Sequence, residues 1–236
     1  MNKSVHGFTL IELAVAMFII VLLLGSILVP LTTQVEQRQI SDTQRSLEEI
    51  KEALIGFSVA NGYLPCPDIT SGTNANDGAE DVTGTNCTSA EGNVPWATLG
   101  VASSDAWGNR FRYRVDTDFT NRSTLFGFSS SADLQVCTTA TCSTTSPEIT
   151  LTQSGPNGAP AVILSHGRNG LGAINANTSI PNPAPTSANE LENTNNDNRF
   201  VNRVANTASG SEFDDIVTWL SRYALLNRMV TAGKLP

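Results

Sequence analysis

Ser165 and His166, in the segment LSHGRNGLG, are the one place in this 236-residue chain where a hydroxyl nucleophile stands beside an imidazole. Catalytic partners meet across space rather than along the chain, and the glycines that follow lack the strand and helix context of a phosphate or dinucleotide loop. The segment reads as a turn, and no enzyme is expected. Asn74, Asn76, Asp77, Glu80 and Asp81 bring together oxygen groups of the kind that ligate calcium on flexible loops. Their spacing is not that of an EF-hand, so a solvated polar loop is the favoured reading and no cofactor is expected. Arg110, Arg112 and Arg114 alternate with Phe111, Tyr113 and Val115, which makes a strand with one basic and one apolar face. The basic row is a candidate interaction surface; pairing within the chain, for instance with Asp116 or Asp118, is the commoner use of such a row. Trp96, Trp107 and Trp219 are read as core aromatics rather than a sugar platform.

The net charge is −8, and lysine occurs at Lys3, Lys51 and Lys234 alone. No broad basic surface exists to neutralise a phosphate backbone, which argues against general nucleic-acid binding. Four cysteines fall as Cys66 with Cys87 and Cys137 with Cys142, an even count in turn-rich sequence that suits two local disulfides in an oxidising compartment. Proximity alone selects this among three pairings. The spacing and the scarcity of histidine, His6 and His166, argue against zinc.

A carboxylate of another kind is Glu12, near the start of the run HGFTLIELAVAMFIIVLLLGSILVPL. Residues 8–31 would make about 36 Å of helix at 1.5 Å per residue, enough for a hydrocarbon core of about 30 Å. The leader MNKSVHG carries Lys3 and the terminal amine, which places the N-terminus in the cytoplasm and the rest of the chain across the membrane. Ala14 to Ala16 come before most of the apolar run, the reverse of the order in a cleaved secretory signal. A charge in an intramembrane helix is a functional hypothesis by default.

Gly7-Phe8-Thr9-Leu10-Ile11-Glu12-Leu13 followed by an apolar run resembles the processing and methylation motif of type IV prepilins and pseudopilins. The resemblance implies cleavage after Gly7 by a prepilin peptidase and methylation of the new terminal amine on Phe8. It also implies assembly with other pilin subunits through an inner-membrane platform. Glu12 would pair with the Phe8 ammonium of a neighbouring subunit, each charge relieving the desolvation of the other. Pro30 stands one position later than in typical major pilins, and Val21 stands where they carry Gly, so the filament-core packing is expected to differ in detail.

The helix signal continues beyond Leu31. Ile40, Leu47, Ile50, Leu54 and Phe57 recur at helical spacing among charged residues, and Asn61-Gly62 followed by Pro65 and Pro67 ends the pattern. The expected organisation is a leader at 1–7, a transmembrane or filament-core helix at 8–31, an amphipathic helix at 32–61 and a periplasmic head at 62–236. Within the head, Tyr63 to Val94 reads as loop, VPWATLG as turn and short strand, and FRYRV as strand. DLQVC, EITLTQ and APAVILSHG are further strand candidates, the Cys137–Cys142 segment reads as a hairpin edge, and Asn175 to Asn198 reads as loop. The C-terminal GSEFDDIVTWLSRYALLNRMV favours a helix, with a strand at Ile216–Trp219 and a shorter helix from about Ser221 as the alternative. The fold class is therefore α+β: a long N-terminal helix packed on a head with an antiparallel sheet and a C-terminal helix. A head of this size points to a minor or tip subunit more than to a bulk one. A pilin-anchored binding module is the second reading.

Overall fold

The computed structural model describes residues 7, 9–142, 151–152 and 157–235. Within its first helix the side chains of residues 24–31 lie outside the description, as do Phe8, the leader before Gly7 and most of the EITLTQ strand candidate. The chain divides into two units, Met1–Ser41 and Asp42–Pro236.

Helix α1 runs from Leu10 to Asn61 and passes through both. In the first unit, its described side chains from Leu10 to Leu23 are exposed along the whole run. Among the described residues no helix is long and apolar enough to cross a membrane; the span expected over 8–31 includes residues 24–31, whose side chains lie outside the described ones.

In the second unit α1 supplies Leu47, Ile50 and Leu54, each at most 2% exposed, which is the face the helical period selects. Phe57, at the C-terminal end of that stripe, is half-buried; Ile40, half-buried too, falls in the first unit. Gly62, at φ +89°, follows the last helical residue and donates to the Ser58 carbonyl, so the Asn-Gly signal stops the helix as expected.

The head is built on a four-stranded antiparallel sheet in the order β3-β4-β6-β8, with β3 at Glu91–Asn93, β4 at Arg112–Val115, β6 at Ala161–Ser165 and β8 at Ile216–Trp219. Alternation along β4 sends Tyr113 and Val115 into a core with Phe111, the α1 stripe, and Leu225, Leu226 and Met229 of the C-terminal helix α4 (Arg222–Thr231). Strand β6 lies between β4 and β8 with both faces covered, Ala161 and Ile163 in that core and Val162 and Leu164 in a second one with Leu134, Val136, Phe200 and Val217. A strand covered on both faces reads as an unbroken apolar run, which is why AVIL was legible.

Several expectations are corrected. Trp96–Leu99 is a single helical turn, α2, closed by Gly100 in the left-handed region; the short strand lies earlier, at β3, inside the segment read as loop. That segment also holds the two-residue pair β1 (Val82–Thr83) and β2 (Asn86–Cys87). Strand β5 (Gln135–Cys137) pairs in parallel with β7 (Arg199–Val201) rather than forming a hairpin edge of the main sheet. The Asn175–Asn198 loop contains a short helix, α3, at Ala188–Glu192. At the C-terminus the strand-then-helix alternative is the one adopted, because the β-branched Ile216-Val217-Thr218 edge pairs with β6 and sheet packing overrides the capping pattern at Ser211.

Both local disulfides are present. Cys66–Cys87 ties the start of the head to β2 with Cα atoms 5.1 Å apart, and Cys137–Cys142 closes the turn after β5 at 5.4 Å.

Candidate functional site

Two places in the molecule concentrate chemistry. At the start of α1, Thr9 and Glu12 form a reciprocal capping box. The Thr9 backbone N–H and hydroxyl donate to Glu12 Oε2 at 2.9 and 2.8 Å, and the Glu12 N–H donates to Thr9 Oγ1 at 3.3 Å. The Thr9 carbonyl accepts the first helical bond from Leu13. Orphan donors at a helix start are satisfied in this way, and a carboxylate in the first turn also meets the positive end of the helix dipole. Glu12 thus has a structural role within the chain itself. The Thr-x-x-Glu spacing is a capping signature that the reading of Glu12 from the sequence did not use. Gly7 lies just before this box, exposed; Phe8 lies outside the described residues. Ile11, Glu12, Val15, Ala16 and Ile19 line one shallow, largely apolar groove on the helix, so the carboxylate shares an exposed face with apolar side chains.

The second place is the turn after β6. Ser165 and His166 are both buried, but Ser165 Oγ donates to Asp105 Oδ2 at 2.6 Å rather than to the imidazole. Neither ring nitrogen of His166 makes a hydrogen bond, and its Nδ1 lies 3.6 Å from Asp215 Oδ1. The geometry does not bring hydroxyl and imidazole together as nucleophile and base. Gly167, at φ +59°, is required here: a Cβ at this position would meet the Asp214 carbonyl oxygen at 2.2 Å.

That close approach delivers a cluster the sequence reading missed. Glu190 of α3 and the neighbours Asp214 and Asp215, just before β8, bring carboxylate oxygens within 4.8 Å of one another. Asn169 fixes two of them, its Nδ2 donating to Glu190 Oε1 at 2.9 Å and its N–H to Asp214 Oδ2 at 2.8 Å. Asn193 Nδ2 donates to Asp215 Oδ2 at 2.7 Å. Burial raises the Glu190 carboxyl to about 7, helped by the charges of Asp215 and Asp214 and opposed by the Asn169 hydrogen bond. Burial also raises Asp214. The signal was divided between DD in the C-terminal segment and one Glu in an Asn-rich stretch read as loop, and no period links them.

The arginine row is engaged inside the head. Glu91 on β3 accepts from Arg112 Nη2 and, at 3.2 Å, from Arg114 Nη1. The Asn-rich segment covers the rest: Arg112 donates to the Thr194 carbonyl at 3.2 Å, and Arg114 to Asn196 Oδ1 and Asn198 Oδ1, both at 2.7 Å. Arg110 donates to the Ser103 carbonyl at 3.0 Å and stacks over Trp96 at 5.0 Å. The acidic loop is likewise engaged locally. Asn76 accepts from Asn93, Asp81 from the Ile69 N–H, and Glu80 from the Cys66 N–H while pairing with Arg122.

Residues 2–28 match the family model described as the prokaryotic N-terminal methylation motif. The chain therefore carries the type IV prepilin and pseudopilin signature. No curated protein and no solved structure matches the chain.

Proposed function

We propose that the protein is a structural subunit of a type IV pilus-like or type II secretion pseudopilus filament. It is cut after Gly7 by prepilin peptidase, methylated on Phe8, held in the inner membrane by a single pass over residues 8–31, and drawn into the filament through α1. The observation that carries the reading is the methylation motif matched over residues 2–28, followed by a helix whose described apolar side chains from Leu10 to Leu22 are exposed. Such a face is stable in lipid or against copies of itself, not in water. The N-terminus is then cytoplasmic, the head periplasmic or at the cell surface, and the disulfides suit that side. The size of the head favours a minor or tip position. The reading of a pilin-anchored binding module leaned on Arg110, Arg112 and Arg114, whose engagement by Glu91, main-chain carbonyls and Asn side chains supports a structural use instead.

The test is mass spectrometry of the mature N-terminus from native membranes, with and without prepilin peptidase. A chain starting at N-methylated Phe8, lost when the peptidase is absent, supports the proposal. An intact Met1 or a start beyond Ala16 refutes it.

A further inference from the structure

A cleft of about 420 Å³ opens on the face of β3 and β4 turned away from the α1 core. Its floor is polar. Arg110 and His166 line it at 8% and 1% exposure, beside Arg112 and Asn93, which stand opposite each other in the strand register. Thr70, Ser71 and Asn196 are exposed at its rim. The donors of the floor are not all used. Arg110 donates through Nη1 to the Ser103 carbonyl, and Arg112 through Nη2 to Glu91 and the Thr194 carbonyl. Yet the Nε of each is buried without a hydrogen-bond partner, and so are both nitrogens of His166. The His166 Nδ1 at least faces Asp215, 3.6 Å away; Nε2 has no such neighbour among the described ion pairs. The one acid of the wall is already engaged, because the two oxygens of Glu91 meet Arg112 and Arg114. Buried polar groups are nearly always satisfied, and those that are not call for an unseen partner. What is missing in this cleft is an acceptor.

We propose that the cleft binds a small hydroxylated carboxylate, an acid of monosaccharide size. Its carboxylate would take the N–H groups of Arg110, Arg112 and His166, and its hydroxyls would meet Thr70, Ser71 and Asn196. Bonds from guanidinium to carboxylate are of the strong, charge-assisted kind. The volume falls in the lower part of the range of small-molecule cavities, about 300–1,000 Å³. One negative charge suits the cleft better than two. Glu91 lies in the wall, and Asp68 and Asp215 are within electrostatic reach of Arg110 and Arg112, so a dianion meets about twice the repulsion that a monoanion does. All of these groups belong to the head, and the cleft does not depend on α1 entering a filament.

The test titrates the full mature chain in detergent micelles with sodium glucuronate, by calorimetry and thermal unfolding, with glucose and sodium sulfate in parallel. One glucuronate per chain and a rise in melting temperature are expected, with little response to either control. Arg110→Gln should weaken glucuronate binding about tenfold or more, as loss of a hydrogen bond to a charged group does. Ser71→Trp, at the exposed rim, should block the cleft in a head that melts like the parent, which keeps the test decisive if Arg110→Gln fails to fold. A glucuronate-terminated oligosaccharide, compared with the free acid, tells a polymer end from a free small molecule, and tight binding of either supports the proposal. No heat and no shift at millimolar glucuronate overturns it. So does sulfate binding as tightly, which makes the cleft a general anion site, or glucose binding as tightly, which removes the carboxylate from recognition. Glucuronate binding unchanged in both variants overturns it as well, because the acid then sits elsewhere.

Discussion

Glu91 stands opposite Arg114 in the β3–β4 register and accepts from both Arg114 and Arg112. The acid side chain is 5% exposed, and the two guanidinium side chains 14% and 19%. Burial lowers Arg112 to about 10, still well above neutral pH, and lowers Arg114 as well. Glu91→Ala leaves two largely buried cations facing each other, and breaking such a set costs about 3–5 kcal/mol. Urea unfolding of the mature chain checks this; Arg114→Ala, which leaves Glu91 paired with Arg112, should cost clearly less.

The two disulfides should contribute unequally. Their sequence separations are 21 and 5 residues, and loop-closure entropy gives about 3 kcal/mol for the longer and about 2 kcal/mol for the shorter. Paired serine substitutions at Cys66 and Cys87, and at Cys137 and Cys142, compared by denaturant midpoint, check the order.

At the N-terminus, processing and assembly should separate. Glu12→Gln should still be cleaved at Gly7–Phe8, since neither the Gly nor the new terminus changes, but should fail to enter filaments, because the neutral amide cannot answer the Phe8 ammonium. Thr9→Val removes the hydroxyl of the capping box and should cost about 1 kcal/mol of local helix stability. Peptidase cleavage assays and sheared-filament yields read the two effects.

The cluster of Glu190, Asp214 and Asp215 should make stability depend on pH. Glu190 titrates near 7 in the fold against an ordinary value of 4.5, so between those values the native state holds more protons than the unfolded one. Stability is then greatest below about 4.5 and falls as pH rises through about 7. Asp68, raised to about 6 by burial, acts in the same direction, so the comparison must be with Glu190→Gln. The parent should lose melting temperature relative to that variant between pH 5 and pH 8.

How much of this was legible depended on whether a signal was local. The stripe of Leu47, Ile50 and Leu54, the Asn61-Gly62 stop, the period-two run at Arg112–Val115 and the doubly apolar β6 are each written within a few residues and were readable. Strand β3 was not, because Glu-Gly-Asn has poor strand propensity and is held by its neighbours: Gly92 lies so close to Asp68 that a Cβ would meet its carbonyl oxygen at 2.2 Å. The partners of the arginine row were missed because Asn196 and Asn198 lie some eighty residues away in sequence with no apolar period. The Glu190, Asp214 and Asp215 cluster escaped for the same reason.

The central place of β6 sets an order on folding. Its neighbours β4 and β8 lie near residues 112–115 and 216–219, so the sheet is held by contacts that close long loops, which slows folding. A chain emerging N-terminus first presents β6 with one edge unpaired until the last strand arrives. Until Ile216–Trp219 pairs with it, the apolar strand at the centre of the head is an open edge able to recruit a strand from another chain.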